Sequence, residues 1–183
     1  ISPQLARVPE DRGLIIDAEA GVGVMVNEED HLRIQAMRAG LDLTGALAEA
    51  NQADDLIEQR YELAFLPELG YLTACPTNVG TGMRASVMLH LPALAMTKQV
   101  ERVVQAVTQL GLAVRGLYGE GSEAAGNIFQ ISNQLTLGLS EQEMIGNLEG
   151  VVRQVVEHER DARKMLQKEA ALELSDRIWR AFG

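Results

Sequence analysis

Apolar positions change their period several times along this chain, and each change marks an element. "GLIID" (13–17) and "GVGVMVN" (21–27) are short β-rich runs with acidic and glycine punctuation between them, which predicts two strands in a hairpin. From Glu28 the stretch "EEDHLRIQAMRAG" carries acidic residues at its start and Gly40 at its end, and predicts a helix. Leu43, Leu47, Ala50, Asp54 and Ile57 then recur at helical spacing. "YLTACP" and "RASVMLHLP" predict strands on either side of the glycine-rich turn "TNVGTG". Pro92 opens a helix expected to run to Gly111, with proline at the first position and glycine at the stop. "LAVRGLYGE" and "NIFQISNQ" predict two more strands joined by "GEGSEAAG". Ser140 followed by Glu143 is a capping box for a long helix to about residue 168, and a shorter helix follows from about Leu172. About six strands, mostly meander-like, with helices packed on the sheet make an α+β fold. There is no internal repeat and no low-complexity tract.

Composition narrows this picture little. The 183 residues suffice for one good-sized domain, and 46% apolar with 23% charged residues is ordinary globular usage. Aromatics make up 4%, so the core must rest on aliphatic side chains and methionine. Sixteen basic against twenty-six acidic residues give a net charge of −10, which argues against nucleic acid or an anionic membrane as the main partner. A local nest of arginines around a phosphate remains compatible with that charge. A single cysteine excludes an internal disulfide framework and fits a reducing cytoplasm. No apolar run reaches the roughly 18–20 residues of a membrane-spanning helix, and no signal peptide is visible.

Three arginines stand among small residues at loop or strand-edge positions: Arg33, Arg84 and Arg115. A guanidinium fork suits bidentate phosphate contacts, and neighbouring glycines let backbone N–H groups approach the same anion. The plain alternative is three surface arginines in ion pairs on an acidic chain. Two acidic clusters, "NEEDH" (27–31) and Glu120 with Glu123, could hold a cation such as a guanidinium and take its proton. For "NEEDH" the plain alternative is the acidic first turn of a helix. Cys75 precedes Pro76 at the end of a predicted strand, where it is either an activated thiol or buried filler. No histidine is placed near it, and His31, His90 and His158 lack metal-ligand spacing. "GTGMRA" is only loosely like a phosphate loop, because the GK[ST] of a P-loop is missing.

Taken in order, "VNEEDHLRI", "YLTACPTNVGTGMRASVMLHLP" and "RGLYGEGSEAAGNIFQISNQLTLGLSE" resemble the phosphagen kinases, the ATP:guanidino phosphotransferases. The three blocks span residues 26 to 141, and "GLYGEGSEAAGNIFQISNQ" is most similar to the bacterial protein-arginine kinase branch. The resemblance implies an antiparallel sheet flanked by helices, a glutamine synthetase-like core, with Mg-ATP lying on the sheet. It implies that Arg33, Arg84 and Arg115 clamp phosphates and that Ala85, Ser86, Val87 and Met88 also contact the nucleotide. Glu29 matches the carboxylate that holds and deprotonates the guanidinium. The second carboxylate falls on Glu120 or Glu123, because this loop is three residues longer than in the small-guanidine kinases; Glu120 is preferred. Cys75 matches the family's reactive cysteine, which tunes the guanidinium site without forming a covalent intermediate.

The resemblance also implies a single domain over 1–183, the C-terminal part of a catalytic domain, with upstream and downstream segments missing. ATP and Mg²⁺ are the implied cofactors. Implied partners are arginine-bearing proteins, a zinc-containing activator protein, the Clp protease and a second copy in a homodimer. The expected activity is phosphorylation of protein arginines in stress response and protein degradation. A kinase for free arginine or another small guanidine, and a catalytically silent interaction domain, are the alternatives.

Overall fold

The computed structural model describes residues 3–8, 10–19, 21–116 and 125–182. The chain divides into two compact units, residues 1–85 with 135–145, and residues 86–134 with 146–183. Every strand pair among the described residues is antiparallel.

The first unit opens with a short helix, α1 (Pro3–Arg7), followed by a three-stranded sheet of β1 (Gly13–Asp17), β2 (Val22–Val26) and β3 (Leu32–Ala36) in that order. The hairpin of β1 and β2 is as expected, with Leu14 opposite Met25, which is almost fully buried. The segment after Glu28 is not the expected helix. Its acidic residues form the β2–β3 loop, and "LRIQA" alternates with period two and pairs along β2. An acidic run looks the same before a helix as in a loop, and here pairing with β2 decides the outcome. Helix α2 (Leu43–Glu58) follows as expected and packs on β3 and β2. Asp42 caps it by accepting the Gly45 N–H at 3.0 Å.

A two-stranded ribbon comes next, β4 (Phe65–Leu66) with β5 (Gly70–Tyr71). The strand expected over "YLTACP" is thus confined to its first residue. Pro76 cannot donate to a ladder, and it starts a 3₁₀ turn over Pro76–Asn78 instead.

In the second unit, β6 (Ser86–His90), β7 (Leu112–Gly116) and β8 (Ile128–Asn133) form a sheet of order β6-β8-β7, with β8 central. All three strands were legible in the sequence. The single helix expected from Pro92 to Gly111 is two helices, α3 (Pro92–Met96) and α4 (Val100–Gln109). Lys98 between them takes φ +56°, and Thr97 donates its hydroxyl back to the Ala93 carbonyl at 2.8 Å.

The long helix α5 (Glu141–Glu169) starts at the predicted capping box, where Ser140 N and Oγ lie 2.8 and 2.7 Å from Glu143 Oε2. Within the second unit it buries Leu148, Val152, Val155, Glu159 and Ala162, one face at helical spacing. Glu159 is 4% exposed, and its two oxygens accept the N–H groups of Ala93 (3.1 Å) and Leu94 (2.9 Å) at the start of α3. Arg163 Nε completes that carboxylate at 2.6 Å. Helix α6 (Ala171–Phe182) ends the described chain. No helix among the described residues is long and apolar enough to cross a membrane.

Candidate functional site

In the first unit the site is built by the β2–β3 loop and the glycine-rich turn. Asn27 leaves β2 with φ +54°, a conformation that asparagine tolerates, and its N–H bonds the His31 carbonyl at 2.9 Å to close the loop. Its side-chain amide donates to the Asp11 carbonyl at 2.9 Å. Three consecutive carboxylates are thereby sent to three different tasks.

Glu28, with its side chain 5% exposed, accepts Arg33 Nη1 at 2.9 Å. Glu29, 49% exposed, lies 3.8 Å from the same guanidinium nitrogen. The buried carboxylate therefore fixes Arg33, while the neighbouring one keeps an open face toward solvent. Asp30 turns the other way. Its Oδ1 accepts the Cys75 N–H at 2.8 Å and its Oδ2 accepts the Asn78 side-chain amide at 2.7 Å. In the sequence Asp30 stands out only as part of an acidic run, and nothing local to it announces a partner far along the chain.

Cys75 sits at the start of the 3₁₀ turn with its Sγ 3.0 Å from Thr77 Oγ1. Its carbonyl accepts the Thr73 hydroxyl at 2.6 Å and the Asn78 N–H at 3.0 Å. The turn is held from below by Thr136, whose hydroxyl donates to the Val79 carbonyl at 2.7 Å and lies 3.2 Å from that of Thr77, an alternative acceptor. The Thr136 carbonyl in turn accepts the Thr81 N–H at 2.8 Å. Gly80, with φ +115°, is required here: a Cβ would occupy the position of the Thr136 carbonyl. Gly70 has no room for a Cβ either, because the Gly80 carbonyl lies against it. Arg84 follows the turn with an exposed side chain, and Ala85 is buried.

In the second unit the remaining expected nucleotide contacts fall on the sheet. Directly paired residues share a face, and Met88, Gln130 and Arg115 form one row across β6, β8 and β7. Met88 and Arg115 are exposed, so this is the open face. Ser86, opposite Ser132, belongs to the same face. Val87 pairs with Ile131, which is 1% exposed, and lies on the other face. Gln130 is a member of the row that sequence reasoning missed, although the alternation of "NIFQISNQ" carries it. Glu120 and Glu123 lie outside the described residues. Among the described residues no group of three or more His, Cys, Asp or Glu side chains is arranged to hold a metal ion.

The structure thus brings Arg33 beside Glu29 and ties their loop to Cys75 through Asp30. It places Met88 and Arg115 in one row of a separate sheet.

The family model described as ATP:guanido phosphotransferase, C-terminal catalytic domain, matches residues 1–162. Protein-arginine kinases of Shouchella clausii (strain KSM-K16), Bacillus licheniformis and Bacillus subtilis (strain 168) are 53%, 55% and 54% identical over the whole of this chain. The match covers 51%, 50% and 50% of those proteins, so the chain spans about half the length of the curated relatives it matches. Among solved structures, a lombricine kinase is similar with a TM-score of 0.74 at 31% identity, over 85% of this chain and 43% of that one. The duplicated taurocyamine kinase from Schistosoma mansoni, with bound transition-state-analog components, gives 0.72 at 33% identity over 90% and 22%. A family match over 162 of 183 residues, and an antiparallel α+β fold shared with two guanidine kinases, make this chain a member of the ATP:guanido phosphotransferases.

Proposed function

We propose that this chain is part of the catalytic domain of a protein-arginine kinase, which transfers the terminal phosphoryl group of ATP to arginine side chains of proteins. The observation that carries the reading is the pairing of a half-exposed carboxylate, Glu29, with a loop hydrogen-bonded to the Cys75 turn. The names of the relatives at 53–55% identity support the protein substrate over a small guanidine.

The chemistry suits these residues. A guanidinium is a weak nucleophile, because its charge is delocalised and its proton is tightly held. Glu29 orients one nitrogen and accepts its proton, with Glu120 as the second carboxylate from the longer loop. Cys75 faces the same cation from the turn. Arg33, Arg84 and Arg115 would hold the phosphates of ATP, and Ser86, Met88 and the main chain of Ala85 and Val87 would hold the rest of the nucleotide. Guanidinium donors fit phosphate oxygens, and Mg²⁺ bound with the nucleotide would supply further charge compensation at the transferring group. Positioning and electrostatics then do most of the catalytic work. A single domain, cytoplasmic location, a role in stress response and degradation by the Clp protease, a zinc-containing activator and a homodimer belong to the same reading and rest on the family resemblance.

The test offers Mg-ATP with free arginine, and with an arginine-rich unfolded protein, to the full-length chain. Products are read by mass spectrometry at neutral or mildly basic pH, because phosphoarginine is acid-labile. Label on protein arginines supports the reading. Label on free arginine alone assigns the chain to the small-guanidine kinases, and no label favours a silent domain.

A further inference from the structure

Two carboxylates meet one phenol in the first unit, and a third acid stands close to one of them. The Tyr71 hydroxyl lies 3.1 Å from Asp54 Oδ2 and 3.1 Å from Glu58 Oε1, two acids one helical turn apart on α2. Glu141, the first residue of α5, feels the negative charge of Asp54. Asp55 adds a fourth negative charge from α2. No lysine or arginine pairs with Asp54, Glu58 or Glu141 among the described residues.

A phenol has one O–H, so it can donate to one carboxylate at a time. With Asp54 and Glu58 both ionised, one of them faces the hydroxyl without a proton between them. One added proton repairs this, because a protonated carboxyl can donate where the phenol cannot. Burial, then the neighbouring acids, push Asp54 above the ordinary carboxylate range, although the Tyr71 hydrogen bond pulls the other way. Burial, with Asp54, raises Glu141 as well. The same surroundings raise Tyr71, so its own proton stays on throughout.

The other end of Tyr71 holds the glycine-rich turn. Its N–H bonds the Gly80 carbonyl at 2.8 Å, and Gly80 N–H returns a bond to the Tyr71 carbonyl at 3.3 Å. The ribbon that carries Tyr71 is two residue pairs long, Phe65 with Tyr71 and Leu66 with Gly70. A ladder this short has little stability of its own and depends on what anchors its side chains. Phe65 meets the Tyr71 ring edge-on at 5.3 Å, and the hydroxyl cluster fixes the far end of the ring.

We propose that Tyr71 is a positioning residue for the glycine-rich turn, and that its grip is set by one proton held in the Asp54–Glu58–Glu141 cluster. Closing the clamp takes one proton from solvent, and opening returns it; no other bond is made or broken. The inference rests on the reading that this turn carries the guanidino site. A carboxyl whose folded-state pKa is raised stabilises the folded contact fully below its unfolded value, and the contribution is lost as pH rises through the raised value. The turn is therefore held tightest on the acid side and loosens as Asp54 ionises.

The test is hydrogen exchange at the Tyr71 and Gly80 amides of the full-length chain from pH 4 to 8, corrected for intrinsic exchange. Wild type should lose about tenfold in protection across the transition, which corresponds to about 1.4 kcal/mol. Asp54→Asn, which keeps a donor and an acceptor, should hold high protection with no pH step. Tyr71→Phe should be poorly protected throughout; if it fails to fold, Asp54→Asn alone carries the test. The proposal is overturned if Asp54→Asn follows the wild-type pH course, or if a folded Tyr71→Phe matches wild type. Arginine phosphorylation is scored separately. Its absence in wild type rejects the kinase reading and leaves the exchange result standing, and a missing pH step rejects the clamp and leaves the kinase reading standing.

Discussion

The Asp30 carboxylate accepts the backbone N–H of Cys75 at 2.8 Å, across 45 positions of sequence. Because Glu29 is the residue before Asp30, this bond sets where the proposed base stands relative to the thiol. Asp30→Ala leaves the Cys75 N–H and the Asn78 amide without their acceptor and should cost about 1–3 kcal/mol in urea unfolding. It should also lower kcat for arginine phosphorylation more than it changes KM for ATP. Asp30→Asn keeps one acceptor for the Cys75 N–H and should fall between the two.

Glu28 and Glu29 are adjacent and chemically alike, but their burial separates them. Glu29→Gln should lower kcat by about 10²–10⁴-fold, the usual worth of a general base, with little change in stability. Glu28→Gln should act through Arg33, whose guanidinium loses its buried anionic partner, and should raise KM for ATP instead. Steady-state kinetics of the two variants side by side separate these roles.

Gly80→Ala places a methyl where the Thr136 carbonyl sits and forces a side chain into φ +115°. The expected loss is about 2–4 kcal/mol, because backbone on both sides must move. Gly126→Ala is the control: its φ is also positive, at +64°, but none of the described residues lies within reach of the added methyl. Chemical denaturation of the two variants should rank Gly80→Ala as much the more damaging.

Hydrogen bonds from the Ser140 N–H and hydroxyl hold the Glu143 carboxyl below its ordinary 4.5. A depressed carboxyl contributes stability that is present above the unfolded value and is lost as pH falls through the folded one. Wild type should therefore lose Tm as pH drops below about 4.5, and Glu143→Gln should lack that part of the acid limb. Melting curves from pH 3 to 6 measure it.

Glu159 is nearly fully buried and serves two backbone N–H groups of α3 and the Arg163 Nε. Glu159→Ala should cost about 2–4 kcal/mol, since it strands buried donors. Arg163→Ala should cost less, because that side chain is half exposed and the backbone donors keep their acceptor. A double-mutant cycle by urea unfolding gives the coupling.

Local chemistry was legible and distant chemistry was not. Ser140 and Glu143 announce a helix start because both partners lie within one turn. The strands β6, β7 and β8 were readable from apolar runs between glycines and proline. Residues 28–36 misled because an acidic run precedes helices and also fills loops, and the choice was made by pairing with β2, far from any local preference. The break at Lys98 has no signal in residue type. Within the site, Arg33 and Glu29 were nominated from one short stretch, but the division of labour between Glu28 and Glu29 depends on burial. Asp30 was invisible as a partner of Cys75, because hydrogen bonds across 45 residues leave no periodic trace.

Thr136 holds the carbonyls of Thr77 and Val79 from 59 and 57 residues further along the chain, with the whole β6–β8 sheet encoded in between. The turn that carries Cys75 therefore waits on the ribosome. At about 5–20 residues per second, several seconds pass between synthesis of the turn and of the residue that supports it. Closing so long a loop also carries an entropy cost that local contacts do not. In a growing chain, the Cys75 turn has Asp30 as a partner from the start, but gains the Thr136 hydroxyl only after the whole β6–β8 segment has been made.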